Sequence, residues 1–138
     1  DLGVERLLGQ APPASVKIAY HDACHLAHGQ GVRAQPRAAL AAIPGVELVP
    51  LAESDMCCGS AGTYNQFQPK RARLALNRKW ANVVASGAEI VALGNPGCHA
   101  WLLQAARESN SSIRVLHTIE VLEMALSGLL EAKSPNSA

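Results

Sequence analysis

The residues in this chain best suited to chemistry are its four cysteines, Cys24, Cys57, Cys58 and Cys98. Cys57 and Cys58 are adjacent and run into Gly59 in the string CCGSAG; Cys98 closes GNPGC; Cys24 lies in the histidine-rich stretch HDACHLAH. A lone cysteine is most often a small buried hydrophobe. Four of them, each beside turn-forming residues instead of inside an apolar run, read as one shared thiolate site. Thiolates ligate zinc and iron–sulfur clusters alike. A structural zinc site usually takes cysteines about two to four residues apart, so that one turn supplies two ligands. Two neighbouring thiolates meet at one zinc ion only with difficulty, but they can reach different irons of an extended cluster. The spacing therefore favours an iron–sulfur centre, with structural zinc as the alternative. Thiol–disulfide chemistry at the adjacent pair is a further alternative, although no CxxC motif occurs in the chain.

Other groups surround these cysteines in sequence. His117 follows the last apolar run and is placed to hydrogen-bond a sulfur or to act as a ligand. His21, His25 and His28 flank Cys24; of these His25 is the expected near neighbour of the centre, and His28 a solvent-side residue. His99 abuts Cys98 and is expected to point away. Gly59, Gly62, Gly94 and Gly97 punctuate the cysteine loops, where the backbone must turn and amide N–H groups can donate to sulfur. CCGSAG also resembles a phosphate cradle, but no Lys-Ser or Lys-Thr follows it. Ser60 lacks the GxSxG context of a nucleophilic serine. The cations Lys70, Arg71, Arg73, Arg78 and Lys79 read as a solvated helix face, or as a docking face steered by charge. Trp80 and Trp101 read as core or subunit contacts.

The elements that must position these groups follow from the hydrophobic pattern. Val16–His21 reads as a strand, then a loop to Ala34. Pro36 fits the first turn of a helix to about Ile43, ended by Pro44-Gly45. Glu47–Leu51 is a second strand and Ala52–Phe67 a long loop. Pro69 opens a helix to about Ser86 with Ala72, Leu76, Trp80 and Val83 on one stripe. Glu89–Leu93 is a third strand, His99–Glu108 a helix, and Ile113–Leu116 a fourth strand. Thr118 is the expected cap of a last helix whose apolar face carries Ile119, Leu122, Leu126 and Leu129. Strands that are apolar throughout and alternate with helices predict an α/β fold: a three-layer open sheet of about four parallel strands with helices on both faces. In such sheets ligands bind at the carboxyl ends of the strands, and the cysteine loops all follow strands. Asp1–Ser15 reads as a linker or the tail of a preceding domain, residues 16–131 as the domain itself, and 132–138 as a frayed tail.

Composition bounds the function. The 138 residues are 49% hydrophobic and 17% charged with a formal charge of +1, which suits a packed domain and gives no electrostatic bias toward nucleic acid or membrane surfaces. Aromatic content of 4% is too low for a stacking platform along single-stranded nucleic acid. No apolar run spans a bilayer, and the N-terminal residues lack a signal pattern. A cytoplasmic setting follows as the expectation, in which four cysteines are ligands or redox groups and not disulfides.

The strings YHDACHLAHGQGVR, ESDMCCGSAGTYN and GNPGCHAWL resemble the CCG or cysteine-rich domain found in heterodisulfide reductases, lactate-utilisation proteins and the iron–sulfur subunit of glycolate oxidase, and look most like the last. The resemblance runs from about Val16 to Leu126. The family's full motif ends in CxxC, and Asn95 stands where the first of those cysteines would be. The resemblance thus implies four thiolates, Cys24, Cys57, Cys58 and Cys98, holding a single 4Fe-4S cluster, with Gly59, Gly97 and His117 around it. It also implies an electron-transfer role beside FAD-bearing flavoprotein subunits that oxidise glycolate or another 2-hydroxy acid. The domain itself would be non-catalytic, and any membrane association would be peripheral, through the complex.

Overall fold

Strands buried on both faces require helices on both sides, and the computed structural model, which describes residues 3–23, 29–59 and 64–130, has that arrangement. Among the described residues ten elements follow one another: α1 (Val4–Gly9), β1 (Val16–Tyr20), α2 (Ala34–Ala41), β2 (Val46–Leu48), α3 (Tyr64–Phe67), α4 (Pro69–Ala85), β3 (Ile90–Leu93), α5 (Pro96–Glu108), β4 (Arg114–His117) and α6 (Thr118–Leu126). The four strands form one sheet in the order β2-β1-β3-β4. Every pairing is parallel, with Ile18 opposite both Leu48 and Ile90, and Ala92 opposite both Tyr20 and Leu116.

Side chains alternate across a strand, and the alternation here sorts the core into two. Ala19, Val91, Leu93 and Val115 face α4 and α5, where Leu76, Trp80, Val83, Leu102 and Ala106 meet them together with Cys58 and Cys98. Ile18, Tyr20, Ile90 and Ala92 face the opposite way, against Leu8 of α1, Leu40 of α2, and Val121 and Ala125 of α6. The two faces decide the topology. The chain leaves β1 through α2 on the second face and leaves β3 through α5 on the first. β1 and β3 are neighbours, so the direction of winding reverses between them, and the crevice at their carboxyl ends is where such sheets bind ligands.

Several sequence expectations shift. The second strand stops at Leu48, three residues short of the expected Leu51, and the expected loop Ala52–Phe67 ends in the short helix α3. α5 begins at Pro96, three residues earlier than expected, because Asn95 caps it and Pro96 occupies its first turn. This puts Cys98 inside the first turn of a helix instead of on a loop. The last helix is capped by His117, not Thr118: the His117 side chain accepts from the Ile119 N–H at 3.1 Å, and Glu120 accepts from the His117 N–H at 2.9 Å. Its buried stripe is Val121 and Ala125, while Ile119, Leu126 and Leu129 are exposed. Six of the nine residues of that helix are apolar, so two stripes satisfy the 3.6-residue period, and the cap selects the one turned to the sheet. Among the described residues no helix is long and apolar enough to cross a membrane.

Candidate metal centre

His21 is the first residue beyond β1, and its N–H still donates to the Ala92 carbonyl at 2.9 Å, extending the β1–β3 ladder by one rung. Counting from Ala19, the strand alternation turns the His21 side chain to the first face, the face of Cys58 and Cys98. One ligand-type atom each of His21, Cys58 and Cys98 lies within 4.8 Å of the other two, and all three residues are buried. His21 is 1% exposed, and neither ring nitrogen has a hydrogen-bond partner among the described residues. A buried imidazole without a partner is costly. Two thiols and an imidazole converging in a buried pocket form a donor set that borderline transition metals accept.

Each donor is held by a separate device. Cys98 is the third residue of α5, where Asn95 Oδ1 accepts from its N–H at 3.1 Å. The helix N-terminus carries partial positive charge, which favours an anionic sulfur there. Asn95 therefore caps the cysteine's own peptide group. Cys58 follows the β2 loop, which is clamped to α4 at Glu53: Arg78 and Asn82 donate to the Glu53 carboxylate at 2.9 and 3.0 Å, and Lys79 donates to its carbonyl. Glu53 itself adopts a left-handed backbone, φ 55°. Gly59 ends the pair with φ 97°, and a Cβ there would lie 2.5 Å from the Ala72 carbonyl oxygen. Only glycine lets the loop approach α4 so closely. The Gly59 N–H donates to Cys57 Sγ at 3.3 Å, so Cys57 is oriented by the turn while its neighbour Cys58 points into the core.

Asp22 joins these parts. Its buried carboxylate accepts from both Arg37 nitrogens at 2.7 and 2.6 Å and from Ser54 Oγ at 3.0 Å, and its N–H donates to the Ser54 carbonyl. Burial pushes this carboxyl up, but the bonds from Arg37 and Ser54 outweigh it and hold the group below the usual carboxylate range. The residue after His21 is thereby fastened to the loop that carries Cys57 and Cys58. Arg37 also stacks over the Tyr20 ring, 4.9 Å from its centroid.

Lys79 departs most from expectation. It is fully buried. Burial lowers its pKa, while negative charge at Cys58, then Asp55, Glu53 and Asp22, acts in the opposite direction. The expected cationic face is therefore not a uniform surface: Lys79 is inside, near Cys58, and Arg73 and Arg78 pair with Glu108 and Glu53. His117 is the α6 cap and is not part of the His21–Cys58–Cys98 group. His99 points away from the group, with Nε2 donating to the Val115 carbonyl at 3.0 Å. Gly97 lies exposed in the first turn of α5. Cys24, His25, His28, Ser60 and Gly62 lie outside the described residues.

The chain is 33% identical over 117 residues to a fumarate reductase (CoM/CoB) subunit of Methanothermobacter marburgensis, covering 83% of this chain and 24% of that protein. It is 34% identical over 110 residues to the glycolate oxidase iron–sulfur subunit of Escherichia coli, covering 80% of this chain and 26% of that protein. Lactate utilization protein A of Oceanobacillus iheyensis is 28% identical over 106 residues, 77% of this chain and 43% of that protein. The chain thus spans about a quarter of the length of the first two. The model of the cysteine-rich domain, CCG, matches residues 18–103, from β1 through the first half of α5, and takes in Cys24, Cys57, Cys58 and Cys98. The chain belongs to the CCG cysteine-rich domain family.

Proposed function

We propose that this chain is an iron–sulfur electron-transfer domain of an FAD-linked glycolate or other 2-hydroxy-acid oxidoreductase, with Cys24, Cys57, Cys58 and Cys98 holding one 4Fe-4S cluster. The observation that carries this reading is the convergence of Cys58 and Cys98, from different strand ends, in a buried pocket at the winding reversal of the sheet. The relatives named as glycolate oxidase iron–sulfur subunit and lactate utilization protein A supply the class of complex. A cluster bound there would accept and release single electrons. The chain's own residues supply its surroundings. The N-terminal end of α5 and the Lys79 ammonium offset thiolate charge, and the Gly59 and Gly97 turns bring backbone amides toward sulfur, while His117 holds the α6 end of the same sheet edge. The flavin and the substrate site belong to partner subunits, the setting is cytoplasmic, and any membrane contact is made through the complex.

A structural zinc ion is the second reading, and one observation favours it. Ligands on one tetrahedral ion sit about 2.0–2.3 Å from the metal, so donors within 4.8 Å of each other can close on a single ion with small shifts. A cluster needs them spread further. Spectroscopy on the anaerobically purified chain separates the readings. A bound cluster gives broad visible absorption that bleaches on dithionite reduction and an electron paramagnetic resonance signal in one redox state. A chain holding zinc alone gives neither, and that result would sink the electron-transfer reading.

A further inference from the structure

We propose that His21 is a metal ligand of this centre, binding through an imidazole nitrogen beside Cys58 and Cys98. The inference rests on the reading of the site as a metal centre, but not on which metal it holds. Three observations carry it. The ring is 1% exposed and has no partner at either nitrogen among the described residues, a costly state for a buried imidazole. One of its nitrogens lies within 4.8 Å of two buried cysteine sulfurs. The ring is held there from both sides, by the His21 N–H bond to Ala92 and by the fastening of Asp22 to Arg37 and Ser54.

Among the described residues, four other polar side chains at this end of the fold are already committed, and the one other unpartnered buried nitrogen, the Trp101 indole N–H, is a donor that cannot ligate a metal. Asn95 Oδ1 accepts from Cys98 N–H, His99 Nε2 donates to Val115, His117 Nδ1 caps α6, and the Lys79 ammonium donates to the Glu53 carbonyl. A metal is the partner that satisfies an imidazole in such company, because thiolate and neutral imidazole are its usual joint ligands. The consequence is chemical. On a 4Fe-4S cluster His21 would take the iron otherwise given to one of the four cysteines; a neutral nitrogen in place of that anionic sulfur leaves the centre less negative, and imidazole ligation raises the reduction potential of an iron–sulfur cluster.

The test uses the full chain loaded anaerobically with ferrous iron and sulfide or, separately, with zinc, in the wild type and in His21→Gln and His21→Cys. Unfolding midpoints of the metal-free proteins check that each variant folds. Pulsed electron paramagnetic resonance on the reduced iron form should show strongly coupled imidazole nitrogen that disappears in His21→Gln. Metal affinity of His21→Gln should fall by at least the roughly 10–100-fold that loss of an outer-shell partner costs. His21→Cys should recover metal, lack the nitrogen signal and have a lower potential than wild type. Iron bound without nitrogen coupling, and with unchanged affinity in folded His21→Gln, would overturn the assignment while leaving the cluster reading intact. Zinc bound with a nitrogen seen by X-ray absorption, and no iron or sulfide taken up, would uphold His21 and contradict the cluster.

Discussion

The two faces of the sheet are built from the same strands and do different work. The face covered by α1, α2 and α6 is closed mainly by hydrocarbon: Ile18, Leu40, Ile43, Ile90 and Val121 are essentially unexposed, and the buried Arg114 guanidinium is satisfied by donating to the Leu130 carbonyl at 2.7 Å. The face covered by α4 and α5 is equally dry in its middle, at Leu76, Val83, Val91 and Leu102, but at the strand carboxyl ends its lining changes to Cys58 and Cys98, with buried His21 and Lys79 near them. Strand parity sorts the groups at this end: His21 follows the parity of Ala19 toward the cysteines, while Asp22 follows that of Tyr20 toward Arg37. A concentration of buried polar groups at one strand end is where local rules are broken for function.

The largest contrast between the faces is expected from Cys98→Ser. It removes a soft thiolate from the first face and should abolish or severely reduce metal binding, measured by elemental analysis, while leaving the metal-free fold within about 1 kcal/mol of wild type. Full metal retention would refute the convergence of the cysteines. On the other face, Leu40→Ala should cost about 2–5 kcal/mol in denaturant unfolding, with the metal content of the folded fraction unchanged; loss of metal from folded protein would show that the faces are coupled. Gly59→Ala forces a Cβ toward the Ala72 carbonyl at a positive φ and should cost about 2–4 kcal/mol, this time together with metal, because the loop it displaces carries Cys57 and Cys58. The smallest effect is expected from Asn95→Ala, which removes the α5 cap for about 1 kcal/mol. Because the lost bond is to the Cys98 N–H, its metal affinity should fall more than its stability does. An affinity equal to wild type would make Asn95 a helix cap only.

Much of this arrangement is legible in the chain. Four apolar runs are four parallel strands, three of them within a residue of their expected limits and β2 ending three residues early at Leu48, since apolar runs with helices between them leave few other folds. The convergence of Cys58 and Cys98 follows from their places after strand ends. The differences have identifiable causes. His21 reads in sequence with the histidines around Cys24, although its parity with Ala19 on β1 turns it to the cysteine face. Lys79 reads as part of a cationic surface because of its sequence neighbours, yet it lies three residues after Leu76 and four before Val83, on the buried stripe of α4. The pair Asn95-Pro96 is a cap followed by a first-turn proline, which places Cys98 on a helix. The α6 stripe is ambiguous because six of the nine positions of that helix are apolar; Glu120, three residues after His117, is the signal for the true cap.

What the folded chain holds decides most directly between a cluster and a single ion. Anaerobic purification followed by iron, acid-labile sulfide and zinc analysis on the same sample should give about four irons and four sulfides per chain, as a 4Fe-4S cluster requires, with zinc well below one. One zinc per chain with no sulfide would contradict the electron-transfer role.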